Sequence, residues 1–192
     1  MKDTIELKNI EIALILDGFI NGLGIVRSLK MAENIPVAIL CKKGAALAQS
    51  NKIDFIFYYR DYKEFEQQLL KINEIFKSVI PYYCKDNHLK IVFDLKDVLT
   101  NFKIYDFDLT LLEKNAQIEL CQKTKVLYPS SYFVSSMQEF DALQLKDKTY
   151  IIKPVSSNSK NPFKTKISSN IEELKKYAMQ CIDLEIKAII SH

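Results

Sequence analysis

The sequence predicts an α/β fold in which a parallel sheet with helices on both faces is followed by a smaller α+β module. Short aliphatic runs alternate with amphipathic, helix-length segments over about the first hundred residues. Several of these runs are nearly continuous in apolar residues, as strands buried on both faces require. After Thr100 the alternation gives way to two strand-like segments around a polar loop, then a helix and a last strand. The division is drawn at residues 1–100, a Rossmann-like domain, and 101–192, the partial α+β module.

The first strand is read at 11–17 (EIALILD), ending in a glycine-bearing turn from Gly18 to Gly22. A helix over 23–33 follows, with Ile25, Leu29 and Ala32 on one face. Residues 36–41 form the second strand, with Pro36 at its mouth. A small-residue helix is expected over 45–50 and a strand over 54–59 (DFIFYY), rich in aromatic strand formers. Asp61 and Glu64, three apart, open a helix as a capping box, and Phe65, Leu69, Ile72 and Phe76 continue it at helical spacing. A strand over 79–83 and a helix over 88–99 complete the first domain.

In the second half, Thr110 and Glu113 are expected to cap a helix running to about Lys123. A strand at 132–134 precedes a short helix opened by Ser136 and Glu139. The segment 149–153 reads as a strand ending at Pro154, and 155–162 (VSSNSKNP) as the most turn-rich stretch of the chain. A strand at 163–167, a helix opened by Asn170 and Glu173, and a strand at 187–190 close the sequence.

Composition narrows the function classes. Of 192 residues, 48% are hydrophobic and 27% charged, the balance of a globular protein with a core. The net charge of +3 comes from lysines interleaved with acids, so nucleic acid is not an expected partner. The longest apolar run, residues 12–16, is far too short to span a bilayer, and the first nine residues lack a signal-peptide core. Cys41, Cys84, Cys121 and Cys181 form no metal-spaced pair, and His88 and His192 are the only imidazoles. Reduced, mostly buried thiols in a cytoplasmic protein, with no metal site, are therefore expected.

Three features carry candidate chemistry. Gly18, Gly22 and Gly24 follow a strand and precede a helix, where backbone amides meet an anion. Their spacing is not that of dinucleotide binders, and a tight strand-to-helix turn explains them equally. Lys153 closes the strand 149–153 just before Pro154, where burial calls for an anion or carbonyl partner unless the side chain reaches solvent. The hydroxyls of Ser156 and Ser157 follow in the loop. Lys114, beside Glu113, is placed one turn inside its helix and locally looks like an ordinary surface lysine.

Taken in order, these features resemble the ATP-grasp superfamily, in particular the carboxylate–amine ligase branch that includes D-aspartate ligase and the carbamoyl-phosphate synthase large subunit. The opening from Leu16 to Leu29 is similar to that of a pre-ATP-grasp domain; Glu113–Lys114, Pro129 and Ile151–Pro154 stand where the family has its helix cation and its strand ending in Lys-Pro. The resemblance implies that Lys114 and Lys153 contact ATP phosphates, with Ser156, Ser157 and Lys164 in the phosphate-covering loop. It implies substrate contacts at Gly18, Asn21, Gly22 and Arg27. The loop 155–166 departs from the family in containing no glycine, leaving Ser, Asn and the lysines 160 and 164 to hold phosphate. The chain also ends where relatives continue into an adenine-binding hinge and the acidic and Asn residues that hold Mg²⁺. The expected function is the ATP-binding N-terminal part of a ligase that activates a small carboxylate as an acyl phosphate for attack by an amine, inactive as this truncated piece. The alternative is a nucleotide- or metabolite-binding module without catalysis. Self-association is expected as well, from a sheet edge at 187–190.

Overall fold

The computed structural model describes residues 7–17, 20–32, 35–146, 148–155 and 163–192. They form two compact units, Met1–Phe107 and Asp108–His192. In the first, strands β1 (Glu11–Leu16), β2 (Val37–Lys42), β3 (Phe55–Tyr59) and β4 (Ser78–Tyr83) make a parallel sheet in the order β3-β2-β1-β4. Helices α1 (Ile20–Ala32), α2 (Tyr62–Ile75) and α3 (Asp86–Asp94) connect them or follow them. Because side chains alternate along a strand, the central strands feed two cores. Ile15, Ile39 and Cys41 meet Val26 of α1 on one face. Leu14, Leu16 and Leu40 meet Phe65, Leu69 and Ile72 of α2 and Val92 of α3 on the other.

The chain stays with this unit past residue 100. Val79 pairs with Phe102, and Lys103 N donates to the Val79 carbonyl at 2.8 Å, extending the sheet beside β4. Two expected helices are shorter than periodicity suggests. The 45–50 segment is a single 3₁₀ turn, Ala46–Gln49, and α3 closes at Leu95, whose ψ of 6° leaves the helical range.

The first helix, in contrast, begins earlier than expected. Gly22 therefore lies inside α1 rather than in a turn, buried against the sheet. A Cβ there would stand 3.0 Å from Leu47 Cδ2 and 3.4 Å from Ile15 Cγ2, so this glycine lets the helix approach β1 closely. Asp17, at the end of β1, takes a left-handed φ of 53°.

The second unit is an antiparallel sheet in the order β5-β8-β6-β7, from β5 (Ser131–Val134), β6 (Tyr150–Pro154), β7 (Lys166–Ser168) and β8 (Ala188–Ser191). One face packs on α5 (Met137–Asp141) and α6 (Ile171–Asp183) through Val134, Phe140, Ile152, Leu174, Ala178 and Ile190. The strand at 187–190 is not an edge. β8 is flanked by β5 and β6 and buried along its length, because the chain folds β6 back onto it.

The capping boxes form as expected. Asp61, Ser136 and Asn170 accept from the amides of Glu64, Glu139 and Glu173 at 2.9, 3.2 and 3.1 Å. The cap at Thr110 does not form. Asp108 takes the Thr110 hydroxyl and amide for a 3₁₀ turn, Leu109–Leu112, and helix α4 (Lys114–Thr124) starts only at Lys114. Lys114 is thus the first residue of its helix, not one turn inside it.

Candidate functional site

In the second unit, strand pairing decides which side chains share the sheet face opposite α5 and α6. Register sets Ile151 beside Ser191 and Ser191 beside Ser131, with Lys153 beside Ile189 in the next row of that face. Alternation puts this set on the side away from the core. Helix α4 covers it. Lys114, Gln117, Ile118 and Cys121 are spaced at positions i, i+3, i+4 and i+7, one stripe of a helix, and all four line the same cavity as the strand residues. Residues 127–129 close its side. The cavity holds about 560 Å³, within the range of small-molecule sites.

The two ends of this slot differ chemically. Lys153 lies at the β6 exit, and the Lys114 ammonium reaches the same end, donating to the Val155 carbonyl at 3.0 Å. Two cations at one end of an apolar slot suit a ligand with a flat apolar body and an anionic tail. At the other end the Ser131 hydroxyl donates to the Pro129 carbonyl at 2.8 Å, and its oxygen lies 2.8 Å from that of Ser191. His192 borders this end and stacks on Tyr150, ring centroids 5.4 Å apart. Among the described residues no three His, Cys, Asp or Glu side chains converge in a way that would hold a metal ion.

Of the residues read from the sequence, Lys114 and Lys153 come together. Ser156, Ser157, Lys160 and Gly18 lie outside the described residues. Lys164 lines a different cavity, with Lys166, Gln180 and Asp183, on the α6 side of the sheet. Lys166 pairs across from Ile152, whose side chain faces α6, so the returning strand carries these lysines to the face opposite the slot. Asn21 and Arg27 are exposed on α1, and Gly22 is accounted for by packing.

Sequence reasoning did not single out the α4 stripe or Ser131 and Ser191. The stripe was legible as a 3.6-residue period; the serines, sixty residues apart, meet only through strand register.

A second polar cluster lies at the carboxyl end of the parallel sheet, likewise unread from the sequence. Tyr59 donates to Asp17 at 3.1 Å and lies 3.3 Å from His88 Nε2, while Lys85 pairs with the same Asp17 carboxylate. His88 is only 1% exposed. Burial lowers the pKa of its imidazole and raises that of the Tyr59 phenol far above the usual range, with Asp17 adding to the rise at Tyr59. A cavity of about 290 Å³ opens beside this cluster, lined by Lys42, Arg60, Tyr62 and Lys85 among others.

No protein-family profile and no curated protein sequence matches the chain. Solved structures do. An N5-carboxyaminoimidazole ribonucleotide synthetase in complex with ADP superposes with a TM-score of 0.68 at 14% identity, over 96% of this chain and 47% of that one. The L-amino acid ligase from Bacillus licheniformis gives 0.64 at 10%, over 96% and 46%. The D-alanine–D-alanine ligase from Bacillus anthracis gives 0.57 at 12%, over 95% and 57%. These are ATP-grasp ligases, and the two-unit fold is that of one portion of them. The chain spans about half the length of the structures it matches.

Proposed function

We propose that this chain, with the fold of part of the ATP-grasp ligases, is the ATP-binding front portion of an ATP-dependent carboxylate–amine ligase. The observation that carries the reading is the slot under α4, apolar along its walls and flanked at one end by Lys114 and Lys153. An adenine ring fits between the α4 stripe and the sheet, and the triphosphate extends toward the two lysines. Their charge offsets the negative charge on the transferring phosphoryl group, which favours formation of an acyl phosphate on a small carboxylate for attack by an amine. Mg²⁺ is proposed to arrive with the nucleotide. It supplies Lewis-acid neutralisation of the phosphates, and its protein ligands are assigned to a longer polypeptide.

Turnover is likewise assigned to that longer polypeptide; this chain is proposed to bind nucleotide and not to turn it over. We assign it to the cytoplasm, in keeping with four unpaired cysteines. Substrate contacts at Gly18, Asn21, Gly22 and Arg27 and phosphate contacts at Ser156 and Ser157 remain part of the proposal, whereas Lys164, on the face opposite the slot, is not kept as a phosphate contact. Self-association is also proposed, now through apolar side chains beside the slot such as Leu127, 98% exposed, rather than through β8. Light scattering that returns a monomer at high concentration overturns that part.

Calorimetric titration with ATP and Mg²⁺ tests the central reading. Binding weakened about tenfold in Lys153→Ala, equivalent to the roughly 1.4 kcal/mol of a charge-assisted contact, supports it. Binding indifferent to both Lys153→Ala and Lys114→Ala overturns the placement. The second reading, a non-catalytic nucleotide- or metabolite-binding module, is favoured by the glycine-free loop 155–166. A longer polypeptide containing this segment that binds ATP but forms no ADP with any carboxylate and amine would decide for it.

A further inference from the structure

We propose that the slot under α4 selects a ring with a hydrogen-bond donor on its edge, through a one-way chain of hydroxyls from Ser191 to Ser131 to the Pro129 carbonyl. The inference rests on the nucleotide reading of this slot and adds which base it accepts and which residues decide. Strand register brings the two serines together. His192 N donates to the Ser130 carbonyl at 3.1 Å, which makes that pair of the β5–β8 ladder the hydrogen-bonded one. The next pair, Ser131 and Ser191, is then of the non-hydrogen-bonded type, whose side chains stand closer. Their oxygens lie 2.8 Å apart, and both residues line the slot.

The direction of the chain is set by its hydrogens. A serine hydroxyl has one hydrogen and two lone pairs. The Pro129 carbonyl has none to give, so its 2.8 Å contact consumes the hydrogen of Ser131. The hydrogen between the two serines therefore comes from Ser191. Ser191, only 8% exposed, is left with lone pairs alone, and among the described residues no donor reaches its hydroxyl oxygen. This end of the slot accepts and does not donate.

The other polar side chains of the slot, His192 apart, point elsewhere. The Tyr128 hydroxyl meets the Gln122 amide at 2.8 Å, and Gln122 does not line the slot. Gln117 reaches back to the Leu111 carbonyl, before the start of α4, and Lys114 and Lys153 hold the opposite end. His192 stacks on Tyr150 and can present a donor or an acceptor, so it serves as the control.

A ring amine facing Ser191 donates to a lone pair and leaves the chain intact. A ring carbonyl in the same place meets an acceptor. To serve it Ser191 must turn its hydrogen outward. Either the contact between the serines then loses its hydrogen, or Ser131 turns to Ser191 and the Pro129 carbonyl loses its donor. In both cases one hydrogen bond is given up, a difference of about fivefold. Adenine carries an amine at ring position 6, and hypoxanthine carries a carbonyl there.

Calorimetric titration of the full chain with ATP and with inosine triphosphate, each with Mg²⁺, tests the inference. ATP is expected to bind about fivefold tighter. In Ser131→Ala the Ser191 hydrogen has no internal acceptor and can meet the carbonyl. Inosine triphosphate is then expected to gain about fivefold with ATP little changed, bringing the ratio near one. Ser191→Ala is expected to bring it near one from the other side, by weakening ATP. His192→Ala and Lys153→Ala are expected to keep the ratio, the latter while weakening both nucleotides. Equal affinities in the native chain, a preference that survives Ser131→Ala, or one lost in His192→Ala overturns the inference alone, provided binding still falls in Lys153→Ala. No binding, or binding indifferent to both Lys153→Ala and Lys114→Ala, overturns it together with the nucleotide reading.

Discussion

The Lys114 ammonium donates to the Val155 carbonyl at 3.0 Å, tying the first turn of α4 to the residue that follows β6. Val155 in turn donates its amide to the Lys187 carbonyl at 2.9 Å, so the exit of β6 is held from both sides. Lys114→Met keeps the apolar stem and removes the donor. It is expected to cost about 1 kcal/mol, the net worth of a typical part-exposed hydrogen bond, read as a lowered urea midpoint. Unchanged stability in Lys114→Met would mean that this contact is replaced by water.

Three of the four thiols are expected to separate by location. Cys41 and Cys181 are buried with pKa values pushed up to about 11, by burial first and for Cys41 also by the Asp17 charge. At neutral pH both should resist a thiol reagent until the protein unfolds. Cys121 lines the slot and is only partly buried, so it should label in the native state and be protected by ATP. Labelling of Cys121 at the same rate with saturating ATP would place the nucleotide elsewhere.

Stability should fall between neutral and mildly acid pH because of His88. Its folded-state pKa lies below the unfolded value of about 6.5, so the unfolded chain takes up a proton first. The contribution is complete above the unfolded pKa and is lost as pH drops from there toward the folded value. Glu64, Glu139 and Glu173, held below the usual carboxylate range by hydrogen bonds, lose theirs only in a separate and more acid window. In His88→Gln the limb just below pH 6.5 should flatten while the acid limb remains, as followed by urea unfolding across pH.

The two glycines of α1 should respond differently to alanine. Gly24 has nothing within 4 Å of an added Cβ, so Gly24→Ala is expected to stabilise by about 0.5–1 kcal/mol, the helix-propensity difference. At Gly22 the new methyl meets Leu47 and Ile15, and crowding should offset that gain. Thermal unfolding of the two variants compares them directly; equal gains would show that Leu47 yields without cost.

Much of this architecture was legible locally. The aliphatic runs at 11–17 and 36–41, the boxes at Asp61, Ser136 and Asn170, and the lysine before Pro154 all act over a few residues, where period and capping chemistry decide. Thr110 misled because Asp108, two residues earlier, competed for its hydroxyl and amide. Gly22 misled because a glycine read as a turn residue also serves where a helix meets a sheet.

The sequence by itself determined the alternation of strands and helices, the change of pattern after the first hundred residues, and the two lysines that reach one end of the slot. Only the tertiary structure decided that β8 is central, that Ser131 meets Ser191, that Lys164 lies on the other face of its sheet, and that Asp17, Tyr59, Lys85 and His88 share hydrogens. The reason is separation along the chain. Periodicity and capping are set by neighbours within a helical turn, whereas strand order and register bring together residues 42 to 72 positions apart, and nothing local encodes which ones.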